Sequence, residues 1–118
     1  MAKIIVQDED AALLDMLATA LKMQGYEVFP LRTCENAVAQ ISNIRPDVVI
    51  LEFKIGGELC TQAATKIKMQ FQSTPIIITS CNPTKDLKMK SKFDAIVFKP
   101  FDLDELYSTV ERFIRLPQ

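Results

Sequence analysis

The stretch Arg45-Pro46-Asp47-Val48-Val49-Ile50-Leu51-Glu52 constrains this chain more than any other. After Asp47 the apolar residues run without alternation and stop at a carboxylate. A short β-branched run of this kind reads as a strand buried on both faces, the usual state of a central strand in a parallel sheet. Pro46 closes whatever precedes it, because its fixed φ and missing N–H suit the start of a strand but not a helix interior. Glu52 therefore stands where a central strand leaves the core. In open α/β sheets ligands bind at that carboxyl edge. A charge there needs water, a cation or a metal beside it.

The rest of the chain supplies a sheet for that strand. Lys3-Ile4-Ile5-Val6-Gln7 predicts a first strand, followed by Asp8-Glu9-Asp10 and a helix whose leucines 13, 14, 17 and 21 recur at helical spacing. Asp10 reads as a helix cap, and Gly25 as that helix's stop. Tyr26 to Leu31 gives a second strand. Thr33 caps a second helix with Ala37, Val38, Ile41 and Ile44 inward. Past Glu52, Gly56-Gly57 marks a sharp loop, and Leu59 to Gln72 reads as a third helix with Ala63, Ala64, Ile67 and Phe71 inward. Ser73-Thr74-Pro75 breaks it. Ile76 to Thr79 is a fourth buried strand ending at Ser80. A short helix opened by Asn82-Pro83-Thr84 carries Lys85, Lys88, Lys90 and Lys92, more simply a solvated face than a partner site. Ala95 to Phe98 is a fifth strand, ending at Lys99-Pro100. Asp102 then caps a last helix in a capping-box arrangement with Glu105, its stripe being Leu103, Leu106, Val110, Phe113 and Ile114.

Five strands alternating with five helices predict a flavodoxin-like three-layer sandwich: a parallel sheet of order 2-1-3-4-5, covered on both faces. At 118 residues the chain reads as one domain, residues 1–118, whether a whole protein or the first part of a longer one. A net charge of -1 argues against a nucleic-acid surface. There is no histidine, which removes Ser-His triads and histidine metal sites. The three cysteines, 34, 60 and 81, form no Cys-x-x-Cys and read as reduced, buried small hydrophobes. No apolar run spans a bilayer and Met1-Ala2-Lys3 leads straight into a strand, so a cytoplasmic domain without a membrane partner is expected.

That sheet order gathers Asp8 and Glu9, Glu52, Ser80 and Lys99 at one edge. Carboxylates bind Mg²⁺ through oxygen, while an ammonium and a hydroxyl can hold other oxygens of a phosphoryl group. Separately, Asp8 and Glu9 would be mere cap acids and Lys99 a surface lysine; their common register favours a shared site.

With these residues in place, the chain resembles a response-regulator receiver domain of bacterial two-component signalling. The matching segments are residues 3–9, 45–52, 74–80 and 99–106, in order and at family-like spacing. The resemblance implies Asp8 and Glu9 as metal ligands, Glu52 at the phosphoacceptor position, Ser80 and Lys99 as readers of the phosphoryl group, and the Lys54 carbonyl as a further metal ligand. It implies Mg²⁺ as cofactor, weakened or lost here, and a cis peptide before Pro100. The implied partner is a signalling protein, a histidine kinase or downstream effector, with a homodimer left open.

The departures from the family pattern matter most. Glu52 stands where the family has aspartate, and Ile96 where it has an aromatic switch. Gly56 replaces a common proline, and the Ser80–Lys99 segment is short. These favour an atypical receiver, a pseudo-receiver that is no enzyme and acts as a protein-interaction module. Two alternatives stay open: a working Mg²⁺-dependent phosphorelay receiver, and a small flavodoxin-like enzyme or flavin carrier. The last lacks a Gly-rich phosphate loop after the first strand. Gln7 reads as satisfying backbone groups near the sheet edge and has no functional account from sequence.

Overall fold

The computed structural model describes residues 1–53, 58–81 and 93–114. Nine elements follow one another among them: β1 (Lys3–Gln7), α1 (Ala11–Met23), β2 (Glu27–Leu31), α2 (Cys34–Ile44), β3 (Val48–Phe53), α3 (Glu58–Gln70), β4 (Ile76–Ser80), β5 (Ala95–Phe98) and α4 (Leu103–Ile114). All strand pairs are parallel, in the order β2-β1-β3-β4-β5. This is the flavodoxin-like architecture expected from the sequence. The expected short helix at 83–92 lies outside the described residues.

The unalternating run of β3 is explained by what covers it. Val48 and Ile50 pack with Leu14, Leu17, Leu21, Leu106 and Val110 on the α1/α4 side. Val49 and Leu51 pack with Ala37, Ile41, Ala63, Ala64 and Ile67 on the α2/α3 side. Two cores share one sheet, and side chains alternate between them along each strand. Edge strand β2 accommodates exposed Pro30, which a central strand would not.

The caps read from sequence are in place. Asp10 accepts from the N–H groups of Ala12 and Leu13, Thr33 from Asn36, and Asp102 from Glu105 at 2.8 Å. Gly25 takes φ +95° just after α1. Helix α3 stops at Gln70 rather than Gln72, because a turn closes from Thr74 N–H to the Phe71 carbonyl at 2.9 Å. Lys68 clasps that corner, donating to the Thr74 carbonyl at 2.9 Å and pairing with Asp94 at 2.7 Å. Asp94 in turn accepts from Ile76 N–H at 2.8 Å, which sets the start of β4.

Candidate functional site

Three strand ends deliver one charged cluster. Asp8 follows β1 directly and is fully buried, Glu52 lies near the end of β3, and Lys99 follows β5. The Lys99 Nζ stands between the two carboxylates, donating to Asp8 Oδ2 at 3.0 Å and to Glu52 Oε2 at 3.1 Å. The side chains are sheltered: Lys99 is 14% exposed, Glu52 11% and Asp8 0%. The remaining carboxylate oxygens are also used. Asp8 Oδ1 accepts from Asp10 N–H at 2.9 Å, and Glu52 Oε1 from Glu9 N–H at 3.0 Å. Lys99 is placed by its own backbone, whose N–H donates to the Ser80 carbonyl at 2.7 Å. The Lys99–Pro100 peptide is cis.

The cluster carries two carboxylates and one ammonium, so one negative charge is in excess. Burial pushes the Asp8 carboxyl above its ordinary value of 3.8; the Asp10 N–H and Lys99 pull it down by less, and Glu52 adds to the rise. Burial alone would lower Lys99, but the hydrogen bonds and charges of Asp8 and Glu52 outweigh it and hold the ammonium above 10.5. Lys99 stays charged throughout the physiological range.

Two of the other residues singled out from sequence, Glu9 and Ser80, meet the cluster through their main chains. Glu9 contributes its main-chain N–H to Glu52, while its side chain lies at the exposed rim. Ser80 is buried at the end of β4, in register with Phe53, and its carbonyl accepts the Lys99 N–H. Its neighbour Thr79 lies opposite Glu52 on one side and Val97 on the other. Lys54 lies outside the described residues.

Sequence reasoning gives Thr79 no role beyond its strand and Gln7 none beyond satisfying backbone groups near the sheet edge. Each is a polar residue inside or ending a buried strand, and that was the available signal. The Thr79 hydroxyl is buried with no hydrogen-bond partner among the described residues. Such a group costs about 1–3 kcal/mol. Thr79→Val is therefore expected to raise stability by about 1 kcal/mol in urea denaturation; a loss of stability would mean that the hydroxyl is bonded in solution.

The sequence model of the response regulator receiver domain matches residues 4–111. The chain belongs to that family. This receiver domain is similar to the regulatory protein AtoC of Escherichia coli strain K12, with 27% identity over 118 residues, covering 97% of the chain and 25% of that protein. It is also similar to the phosphate regulon transcriptional regulatory protein PhoB of Pseudomonas aeruginosa, with 27% identity over 117 residues, covering 95% of the chain and 51% of that protein. The chain thus spans between a quarter and about half the length of these curated relatives.

Among solved structures, the response regulator TrrA of Thermotoga maritima, in complex with Mg²⁺-BeF, superposes with a TM-score of 0.88 at 24% identity, covering 97% of this chain and 100% of that one. The chemotaxis protein CheY4 of Vibrio cholerae gives 0.87 at 25% identity, covering 97% and 99%. The TrrA likeness speaks for the fold alone.

Whether the receiver domain's residues suit Mg²⁺ is decided by the oxygens. Asp8 and Glu52 are hard donors of the right chemistry. Every carboxylate oxygen of the pair already accepts a hydrogen bond, and the ammonium occupies the space between them. No group of three or more acidic, cysteine or histidine side chains comes together as a metal site among the described residues. Each of these oxygens keeps a lone pair beside its hydrogen bond, so Asp8 and Glu52 are the described side chains that would hold the ion, with Lys99 as the cation it would have to stand beside.

No helix among the described residues is long and apolar enough to cross a membrane.

Proposed function

We propose that this receiver domain is a signalling module that acts through protein contacts in one standing conformation, with Glu52 replacing the phosphoacceptor aspartate. The observation that carries this reading is the double engagement of the Glu52 carboxylate, by Lys99 on one oxygen and by the Glu9 N–H on the other. Lys99 is the group expected to meet a phosphoryl oxygen, and here it meets Glu52 instead. The charge supplied is smaller than a phosphate's, since a carboxylate carries one negative charge and a phosphoryl group about 1.5 to 2.

Two further arguments support a silent acceptor. An extra methylene displaces the carboxylate by about 1.5 Å relative to aspartate. In-line transfer loses about a hundredfold for a misplacement of about 1 Å. Ile96 packs half-buried against the α2/α3 core, and an aliphatic side chain there has no ring to turn in or out. On this reading the domain is an interaction module rather than an enzyme, its partner is a kinase or effector of a signalling pathway, and it works in the cytoplasm.

The second reading, a working phosphorelay receiver, is favoured by the convergence of Asp8 and Lys99 on the acceptor position. Intact-mass measurement of the wild-type protein after incubation with acetyl phosphate and Mg²⁺ separates the two. The expected spectrum is unchanged. Stoichiometric addition of one phosphoryl group, mapped to Glu52, would replace the first reading with the second.

A further inference from the structure

Gln7 ends a strand of apolar residues, is itself only 3% exposed, and has a side chain that does more than fill space. The paired register of β1 with β3 runs from Ile4 opposite Val48 to Val6 opposite Ile50 and stops there. Two residues further along β3, the Glu52 N–H donates at 3.0 Å to the side-chain oxygen of Gln7. A side-chain carbonyl thus takes over where main-chain pairing of the two strands ends.

The same oxygen accepts from the Cys34 thiol at 3.3 Å, using its second lone pair. The Gln7 amide nitrogen donates to the Arg32 carbonyl at 3.1 Å. These partners settle the amide's orientation, because exchanging its oxygen and nitrogen would set donor against donor at Glu52.

The bonds close into a circuit. Arg32 returns through its Nε to the Glu9 carbonyl at 2.9 Å, and the Glu9 N–H holds Glu52 Oε1 at 3.0 Å. Glu52 is therefore gripped at both ends, its main chain by Gln7 and its carboxylate by Glu9. Arg32 joins the two grips. An apolar residue at position 7 would orphan both the Glu52 N–H and the Arg32 carbonyl and open the circuit at two points. Side chains that face a site hold their geometry when the groups behind them are locked in this way.

We propose that Gln7 is the positioning residue of this site, setting the Glu52 carboxylate against Lys99 through the Gln7–Arg32–Glu9 circuit. The role rests on Glu52 facing Lys99 and not on whether Glu52 accepts a phosphoryl group. The mass measurement above and the test below therefore fail independently.

The test uses the full chain labelled with ¹⁵N, reading the Lys99 ammonium resonance and the hydrogen exchange of the Glu52 amide in wild type and in Gln7→Met, a side chain of similar length without the amide. The expected result is a shifted or exchange-broadened Lys99 signal and Glu52 exchange faster by about tenfold, the scale of one hydrogen bond, while the β4 amides keep their protection. A purely structural glutamine would lower global stability and leave the Lys99 signal in place. An unmoved Lys99 resonance in folded Gln7→Met overturns the proposal. Should that variant not fold, Arg32→Ala decides at an exposed position: a moved Lys99 resonance supports the circuit and an unmoved one overturns it.

Discussion

Glu52→Asp, incubated with acetyl phosphate and Mg²⁺, is expected to take up one phosphoryl group at a rate at least about a hundredfold above wild type. Shortening the side chain withdraws the carboxylate by about 1.5 Å. It can then no longer span the distance to both the Glu9 N–H and Lys99, which hold it in wild type at 3.0 and 3.1 Å. Lys99, released from one partner, can turn to an incoming phosphoryl oxygen while Asp8 still neutralises it. The variant loses about 1 kcal/mol of stability for the hydrogen bond given up. Intact mass reads the first effect and urea denaturation the second. If Glu52→Asp stays unlabelled, the methylene is not what blocks acceptance, and the obstacle lies elsewhere in the site.

The largest stability effect is expected at Lys99. Lys99→Met removes the cation from between fully buried Asp8 and nearly buried Glu52 and leaves two carboxylates facing each other. Breaking a buried pair by deleting one partner costs about 3–5 kcal/mol. The deficit depends on pH, and its sign follows from Asp8. Its carboxyl is already held above 3.8 in the folded protein, so the folded state keeps the proton that the unfolded state releases. Without Lys99 that tendency grows. The stability gap between Lys99→Met and wild type should therefore be widest at neutral pH and narrow on acidification as Asp8 becomes protonated. Urea titrations at a series of pH values check this; a gap that widens toward acid would mean that Asp8 is not the group left exposed to the loss.

The fold was legible because its signals are local and repeated. The unalternating runs 48–51 and 76–78 encode strands buried on both faces, and Asp10, Thr33 and Asp102 cap the helices where their side-chain chemistry placed them. Helix α3 ends two residues before the expected Gln72, because the turn from Thr74 N–H to the Phe71 carbonyl closes there and the Lys68–Asp94 pair that braces it joins residues 26 apart. At the site, residue types and strand ends were readable, but which atoms meet was not. Glu9 was marked for its side chain and acts on Glu52 through its main chain. Ser80, the hydroxyl that the sequence singles out, ends β4 in register with Phe53 and meets Lys99 through its carbonyl, which accepts the Lys99 N–H. Gln7 reads from sequence only as satisfying backbone groups near the sheet edge, because the partners that tie it to the site lie 25 to 45 residues away along the chain.

The claim beneath these expectations is that the Glu52 carboxylate is bound by Lys99 rather than merely near it. A double-mutant cycle of Lys99→Met, Glu52→Gln and the pair, measured by urea denaturation at neutral pH, tests it most directly. The predicted coupling is about 1–3 kcal/mol, the range for residues in one buried ionic network. Additivity within about 0.5 kcal/mol, the behaviour of independent sites, would contradict the account.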